Sequence, residues 1–346
     1  MSYADDLTTR LRSALAPCGF AEDAEIENVT QGVASPSRLS TEWAGFRVSS
    51  AQGGCYAKVL HADMAQLIDF DTVAQASECA GRSTAAPRLL GADQANGVLI
   101  FEDLGSNWRA ARLDDLLAPG RLAALWALKR QVHAGPVPDA VRSPMADIER
   151  LRTLCGRDNV ALPAEHQWID RCVDMACQAL QSHAVQAVPL HGDGVSSNVM
   201  VSSEGQLRLV DFDYGGCMDP WYDVAITLNE LYSFERQWRE GISAWAGQCL
   251  EIDYAVCRLY ALINDWYWTL WGLWAGTTSS RPLEFSKVGQ WTLLRCRQCV
   301  QDPRLEGWMR QVQRVEHENV RAVGQYPGTT TGSRRAQHRQ LARPPR

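Results

Sequence analysis

Apolar and polar positions change period several times along this chain. Leu7, Leu11 and Leu15 recur at helical spacing and predict a short amphipathic helix over residues 4–17. Alternating or apolar runs follow at Ile26–Thr30, Arg38–Val48 and Cys55–Leu60. The turn-rich segments QGVASPS and SSAQGG split them, so they read as three strands. Residues 63–80 read as a helix with Asp63 as its N-cap, and Arg88–Gly91 and Val98–Asp103 as two strands around the turn DQANG. Past Leu104 the pattern is helical, at 112–118, 120–133, 145–155, 165–183 and from about 221 to 322, with one β-rich island at 188–213. No internal repeat is visible. The expected class is α+β, with a small antiparallel-sheet N-terminal lobe and a larger, mostly helical C-terminal lobe.

Length and composition sharpen that picture. A chain of 346 residues is too long for one ordinary core and suits two lobes. The expected division is 1–104, 105–323 and a tail from 324 to 346. That tail is rich in Gly, Pro, Thr and Arg with almost no apolar residues, and is expected to be disordered. A net charge of −6 supplies no basic field for nucleic acid, so no nucleic-acid partner is expected. The N-terminus carries early acids and no apolar leader core. The most apolar stretch, Trp266–Ala275, is too short to span a bilayer. A cytoplasmic protein with no membrane span is expected. The 11 cysteines are scattered, and the CxxC pair Cys296 and Cys299 lies in a helical pattern with no second pair to complete a zinc site, so free thiols are expected. Nothing in the sequence sets an oligomeric state.

The β-rich island carries the chemistry. In PLHGDGVSSNVMVSSEGQLRLVDFDYGG, residues 189–216, His191-Gly192-Asp193 sits in a loop after an apolar lead-in. Asn198 follows, then the strand Val199–Val201, the turn SSEG, and the strand Leu207–Val210 ending in Asp211. A tight hairpin returns the chain to its start, which brings Asp211 beside the loop of Asp193 and Asn198. Two carboxylates and an amide carbonyl converging there suit phosphoryl transfer. One carboxylate, Asp193, accepts the proton of an attacking hydroxyl. The hard oxygens of Asn198 and Asp211 hold Mg²⁺ against phosphates.

HGDxxxxN followed by a strand, a turn and VDFD resembles the aminoglycoside phosphotransferase and choline kinase superfamily, over roughly residues 25–310. The resemblance implies a two-lobed protein-kinase-like fold that uses ATP and Mg²⁺. It implies that Lys58, in CYAKVL, holds the α- and β-phosphates and that Glu78 orients it. VLIFEDLG, residues 98–105, becomes the hinge, with backbone groups of Phe101 and Asp103 pairing with adenine. The phosphate-covering loop falls at Gln31–Ser37 and supplies Gly32 and Ser35. It departs from the family pattern, because it has one glycine and Pro36 offers no N–H. Asp223, in DPWYDVA, is expected to brace the catalytic loop.

The acceptor is less constrained. On a helix, Tyr267, Trp271 and Trp274 of NDWYWTLWGLWAG share one face, which is either core or a row of π-faces for a quaternary ammonium. LWGLW followed by Glu284-Phe285 resembles the C-terminal region of choline and ethanolamine kinases. There a Tyr three residues and a Glu nineteen residues after the metal-binding Asp line the same pocket; here these are Tyr214 and Glu230. The implied acceptor is a small cationic amino alcohol. Val195 stands where some choline kinases carry glutamine, and GGCMDPWYD replaces their asparagine- and tyrosine-rich stretch. An aminoglycoside or sugar kinase and a non-catalytic nucleotide-binding pseudokinase remain alternatives. A protein kinase is disfavoured by the lack of HRD- and DFG-type segments.

Overall fold

The computed structural model of the protein describes residues 3–20, 23–30, 40–51, 53–183 and 185–314. Gly32 and Ser35 of the expected phosphate loop, and the 324–346 tail, lie outside the described residues.

The leucine spacing is realised in α1 (Tyr3–Leu15), which buries Leu7, Leu11 and Leu15. They pack against β2 (Trp43–Ser50) and β3 (Gly53–Leu60), where Ala44, Phe46 and Val48 face Cys55, Ala57 and Val59 in one cluster. With β1 (Glu25–Asn28), β4 (Leu89–Asp93) and β5 (Val98–Glu102) these strands form an antiparallel sheet in the order β1-β2-β3-β5-β4. Period-two alternation sends Tyr56 and Lys58 of β3 to the opposite face, where they line the large cleft. Between β3 and β4 runs α2 (Phe70–Arg82), which starts later than expected. Its N-cap is Asp69, accepting from the Thr72 N–H at 3.2 Å. Asp63 instead reaches across to Arg281 Nε at 2.8 Å, tying the sheet lobe to the helical one.

The helical lobe opens with β6 (Trp108–Ala110), a short strand the apolar pattern does not announce, and continues through α3 (Leu113–Leu117), α4 (Arg121–His133), α5 (Pro144–Arg157) and α6 (His166–Gln181). The island holds β7 (Val188–Leu190), β8 (Val199–Ser202), β9 (Leu207–Leu209) and β10 (Gly216–Met218), arranged as β6-β8-β9 and β7-β10. Then come α7 (Pro220–Leu231), α8 (Glu235–Ala246), α9 (Glu251–Thr278), α10 (Phe285–Val300) and α11 (Leu305–Arg314). The 28-residue α9 is apolar nearly all round because α5, α6, α7, α10 and α11 surround it. All 11 cysteines are free thiols. Among the described residues no helix is long and apolar enough to cross a membrane.

Candidate active site

The β8–β9 hairpin pairs Val199 with Leu209, and Val210 N–H donates to the Asn198 carbonyl at 3.0 Å. That closes the hairpin one residue before Asp211 and fixes Asp211 beside the 193–198 loop. Asp193 lies 8% exposed in that loop. Its Oδ1 accepts from Val195 N–H at 2.7 Å and its Oδ2 from Asn198 Nδ2 at 3.0 Å. Burial pushes this carboxyl up to about 7, against the pull of the Val195 N–H. A carboxyl titrating there can take a proton from an alcohol near neutral pH.

The loop owes its shape to glycines and to Asp223. Gly192 has φ +76°, and a Cβ there would stand 1.9 Å from the Tyr214 carbonyl oxygen; one on Gly194 would stand 2.4 Å from that of Ile226. Asp223, in the first turn of α7 and fully buried, accepts from His191 N–H at 3.1 Å and Gly192 N–H at 3.0 Å. Its carboxylate also meets Lys129 Nζ at 3.3 Å and His133 Nε2 at 2.9 Å. Burial alone would raise its pKa, but Lys129 and His133 overcome that and hold it well below the usual carboxylate range. Lys129 Nζ also donates to the Asp193 carbonyl at 3.3 Å, so one cation joins both ends of the loop. His191 Nε2–H donates to Val210 O at 2.8 Å and its ring meets Phe212 edge-on; burial and Lys129 lower its pKa to about 4, so it is neutral at pH 7.

Lys58 comes from the other lobe. Its ammonium contacts Asp211 Oδ1 directly and lies 3.1 Å from Asp213 Oδ1. Asp213, two residues beyond Asp211, also accepts from the Trp43 indole N–H. The pair divides its charge unevenly. Lys58 holds Asp211 below its ordinary value against the cost of burial, whereas burial and Asp211 together push Asp213 up. Asp211 adopts φ +69°, in the left-handed region that is uncommon for a residue other than glycine. Asn198 spends its amide N–H on Asp193, which leaves its carbonyl oxygen, with the Asp211 carboxylate, as a hard-oxygen pair. Mg²⁺ is commonly held by one or two such protein oxygens plus phosphates, so these residues fit it. Among the described residues no cluster of three His, Cys, Asp or Glu forms a complete metal cage.

Beside this pair opens a cavity of about 850 Å³ between the lobes, lined by Lys58, Phe101, Asp103, Met200, Leu209 and Asp211. Its size and its apolar walls with a charged end suit a nucleotide. Just after β5, Asp103 accepts from Arg47 Nε at 3.0 Å and from Gly105 N–H at 2.9 Å.

Some expected residues are not brought to the site. Glu78 pairs with Arg82 on the exposed side of α2, while Val73, Ala76, Ser77 and Ala80 face inward. Asp211 and Asp213, rather than Glu78, are the partners of Lys58. Trp271 and Trp274 are sealed in the core, at 1% and 0% exposure, and Trp274 donates to Asp158 Oδ2 at 2.8 Å. The aromatic groups that touch Tyr214 lie earlier on α9: Tyr267, from the same face as Trp271 and Trp274, at 5.6 Å, and the half-buried Trp268 at 5.2 Å between ring centroids. Glu230 does not present a free charge. Its Oε1 accepts from the Ser196 N–H at 3.3 Å and hydroxyl at 3.2 Å, holding the turn after Asp193. Two residues missed in the sequence replace it near Tyr214. Glu42, buried at the start of β2, accepts from the Tyr214 hydroxyl at 3.4 Å. The Arg142 guanidinium lies 5.0 Å from the Tyr214 ring centroid.

A sheet lobe and a helical lobe enclosing this cleft define the chain as a kinase-like phosphotransferase. The model of the phosphotransferase enzyme family (APH) matches residues 58–260, from Lys58 to beyond Asp223, and the chain belongs to that family. A choline/ethanolamine kinase family protein from Mesorhizobium loti has the same fold, with a TM-score of 0.71 at 20% identity over 89% of this chain and 99% of its own. The choline kinase LicA from Streptococcus pneumoniae gives 0.64 at 15% identity, over 80% and 93%. An aminoglycoside phosphotransferase from Streptomyces rimosus, with ADP and streptomycin bound, gives 0.53 at 23% identity, over 76% and 99%. No curated protein matches the sequence.

Proposed function

We propose that the protein transfers the γ-phosphoryl group of ATP to the hydroxyl of a small cationic amino alcohol of the choline or ethanolamine type. The hydroxyl oxygen bonds to the γ-phosphorus, the bond from that phosphorus to the β–γ bridging oxygen breaks, and ADP leaves. Asp193 takes the hydroxyl proton. Lys58 binds the phosphates, and Phe101 and Asp103 offer backbone groups to the adenine. Asn198 and Asp211 would hold Mg²⁺, whose charge offsets that of the phosphates when bound.

The observation that carries the acceptor class is the surroundings of Tyr214. Its ring already stacks on a cation, Arg142. Glu42, Asp147 and Asp193 are all pushed upward by burial, and Arg142 pairs with Asp147. An added cation would let such carboxyls ionise, and aromatic faces favour an ammonium that needs no hydrogen bonds.

Mg²⁺-dependent ADP release against choline, ethanolamine, its methylated forms, aminoglycosides and sugars tests this. Turnover with an amino alcohol is expected. Turnover confined to an aminoglycoside or a sugar would reject the acceptor class, and silence with intact ATP binding would reject the enzyme reading.

A paired substitution separates packing from recognition. Trp271→Ala is expected to cost about 3–5 kcal/mol of stability, as large aromatic truncations in cores do, with acceptor KM little changed. Trp268→Ala is expected to raise acceptor KM about 3- to 30-fold at nearly constant ATP KM. Thermal melts and steady-state kinetics on both variants check the split, and equal effects at the two positions would refute it.

A further inference from the structure

Arg142 closes the connection between α4 and α5. That connection is a strap running from Ala134 to Ser143 across both lobes. Asp139 exchanges two hydrogen bonds with Gln75 of α2, its N–H donating at 2.9 Å and its carboxylate accepting at 2.8 Å. The strap also pairs with β10: Arg142 N–H donates to Cys217 O at 3.0 Å, and Cys217 N–H to Ala140 O at 2.8 Å. Val137 and Val141 are 70% and 79% exposed, so few apolar contacts hold it down.

The side chain is poorly satisfied for a charge so enclosed. Only 14% of it is exposed, and its ion pair to Asp147 Oδ2 at 3.0 Å lacks hydrogen-bond geometry. Arg142 Nε and Asp147 Oδ2 are both buried without a hydrogen-bond partner. A guanidinium carries five donors, and leaving even the Nε one unmade out of water is costly. What it gains is the Tyr214 face, with Tyr222 and Tyr267 also within reach of its charge. The Tyr214 backbone packs against Gly192, the neighbour of Asp193, so the cation on its ring lies near the base.

We propose that Arg142 is an internal occupant of the acceptor's cation subsite, which an incoming quaternary ammonium displaces from the face of Tyr214. The proposal rests on the acceptor class given above. The exchange is favourable because it returns a group needing five hydrogen bonds to water and installs one needing none. Arg142 is then a specificity-determining residue: a neutral alcohol has nothing with which to displace it.

The test uses tetramethylammonium, which has the charge and no hydroxyl, so binding is read without turnover. Calorimetry should show Arg142→Met binding it at least about tenfold more tightly than wild type. Since that variant leaves Asp147 without its cation, Arg142→Met combined with Asp147→Asn is measured too, and both are checked by thermal melts. On the unaltered protein, saturating tetramethylammonium should speed hydrogen exchange of the backbone amides at 139–143. Equal or weaker binding by the variants, or exchange that is unchanged or slowed, overturns the proposal. So does a loss of acceptor affinity in Arg142→Met, which would make Arg142 an anchor for an anionic acceptor. Tight binding by the variant with no amino alcohol turned over would keep the subsite and reject the proposed reaction.

Discussion

Asp193→Asn should lose turnover by about two to four orders of magnitude, the range for removing a general base, while ATP binding stays close to wild type. Asparagine keeps the acceptor for Val195 N–H and the volume of the site, so the loss reports chemistry rather than collapse. The same carboxyl sets a pH dependence. Burial raises its pKa to about 7 in the folded protein, against about 3.9 unfolded. The base works deprotonated, so kcat/KM should climb as pH rises through 7. Stability runs the other way. A raised carboxyl pKa means that the folded state holds the proton, so this stabilisation is complete below the unfolded value and is lost as pH rises through 7. Three pKa units correspond to about 4 kcal/mol. Asp193→Asn is neutral at every pH. Its advantage in melting temperature over wild type should therefore be larger at pH 8 than at pH 5. Retained turnover would remove Asp193 from the mechanism, and identical melting differences at both pH values would show that its proton is not held as the site suggests.

The site was legible where local geometry fixes it. A hairpin with a tight turn can bring Asp211 back to Asp193 in only a few ways, so spacing alone implied their convergence. Asp213 went unread, although it stands two positions after Asp211 in VDFD and both meet Lys58. Glu78 was misassigned for a reason its own helix shows. Val73, Ala76 and Ala80 mark the inner face of α2, and Glu78 is not on it. The tryptophans were harder. A helix covered on every side has no polar face to show which aromatic side chains reach Tyr214; Tyr267 and Trp268 do, while Trp271 and Trp274 are buried in the core. Glu42 and Arg142 carried no signal at all. Each is a single charge in an irregular segment, brought to Tyr214 by contacts spanning more than seventy residues of chain.

The second large effect falls on Asp223→Ala. This carboxylate meets no solvent and serves four partners: the backbone N–H groups of His191 and Gly192, Lys129 and His133. Truncation leaves the Lys129 ammonium, 2% exposed, without a counter-charge and strands both N–H groups. Breaking a buried pair from one side costs about 3–5 kcal/mol. That is a large share of the roughly 5–15 kcal/mol that holds a domain folded. Asp223→Asn should fall between wild type and alanine, since its one carbonyl oxygen can satisfy one of the two N–H groups but cannot pair Lys129. Asp223→Ala combined with Lys129→Met should recover part of the loss, because the stranded charge goes with its partner. Denaturant unfolding of these variants beside wild type measures each difference. If the double variant is no more stable than Asp223→Ala, the cost lies in the backbone of the His191-Gly192 turn rather than in the ion pair. In either case turnover should drop with the loop, since Asp223 holds the turn from which Asp193 projects.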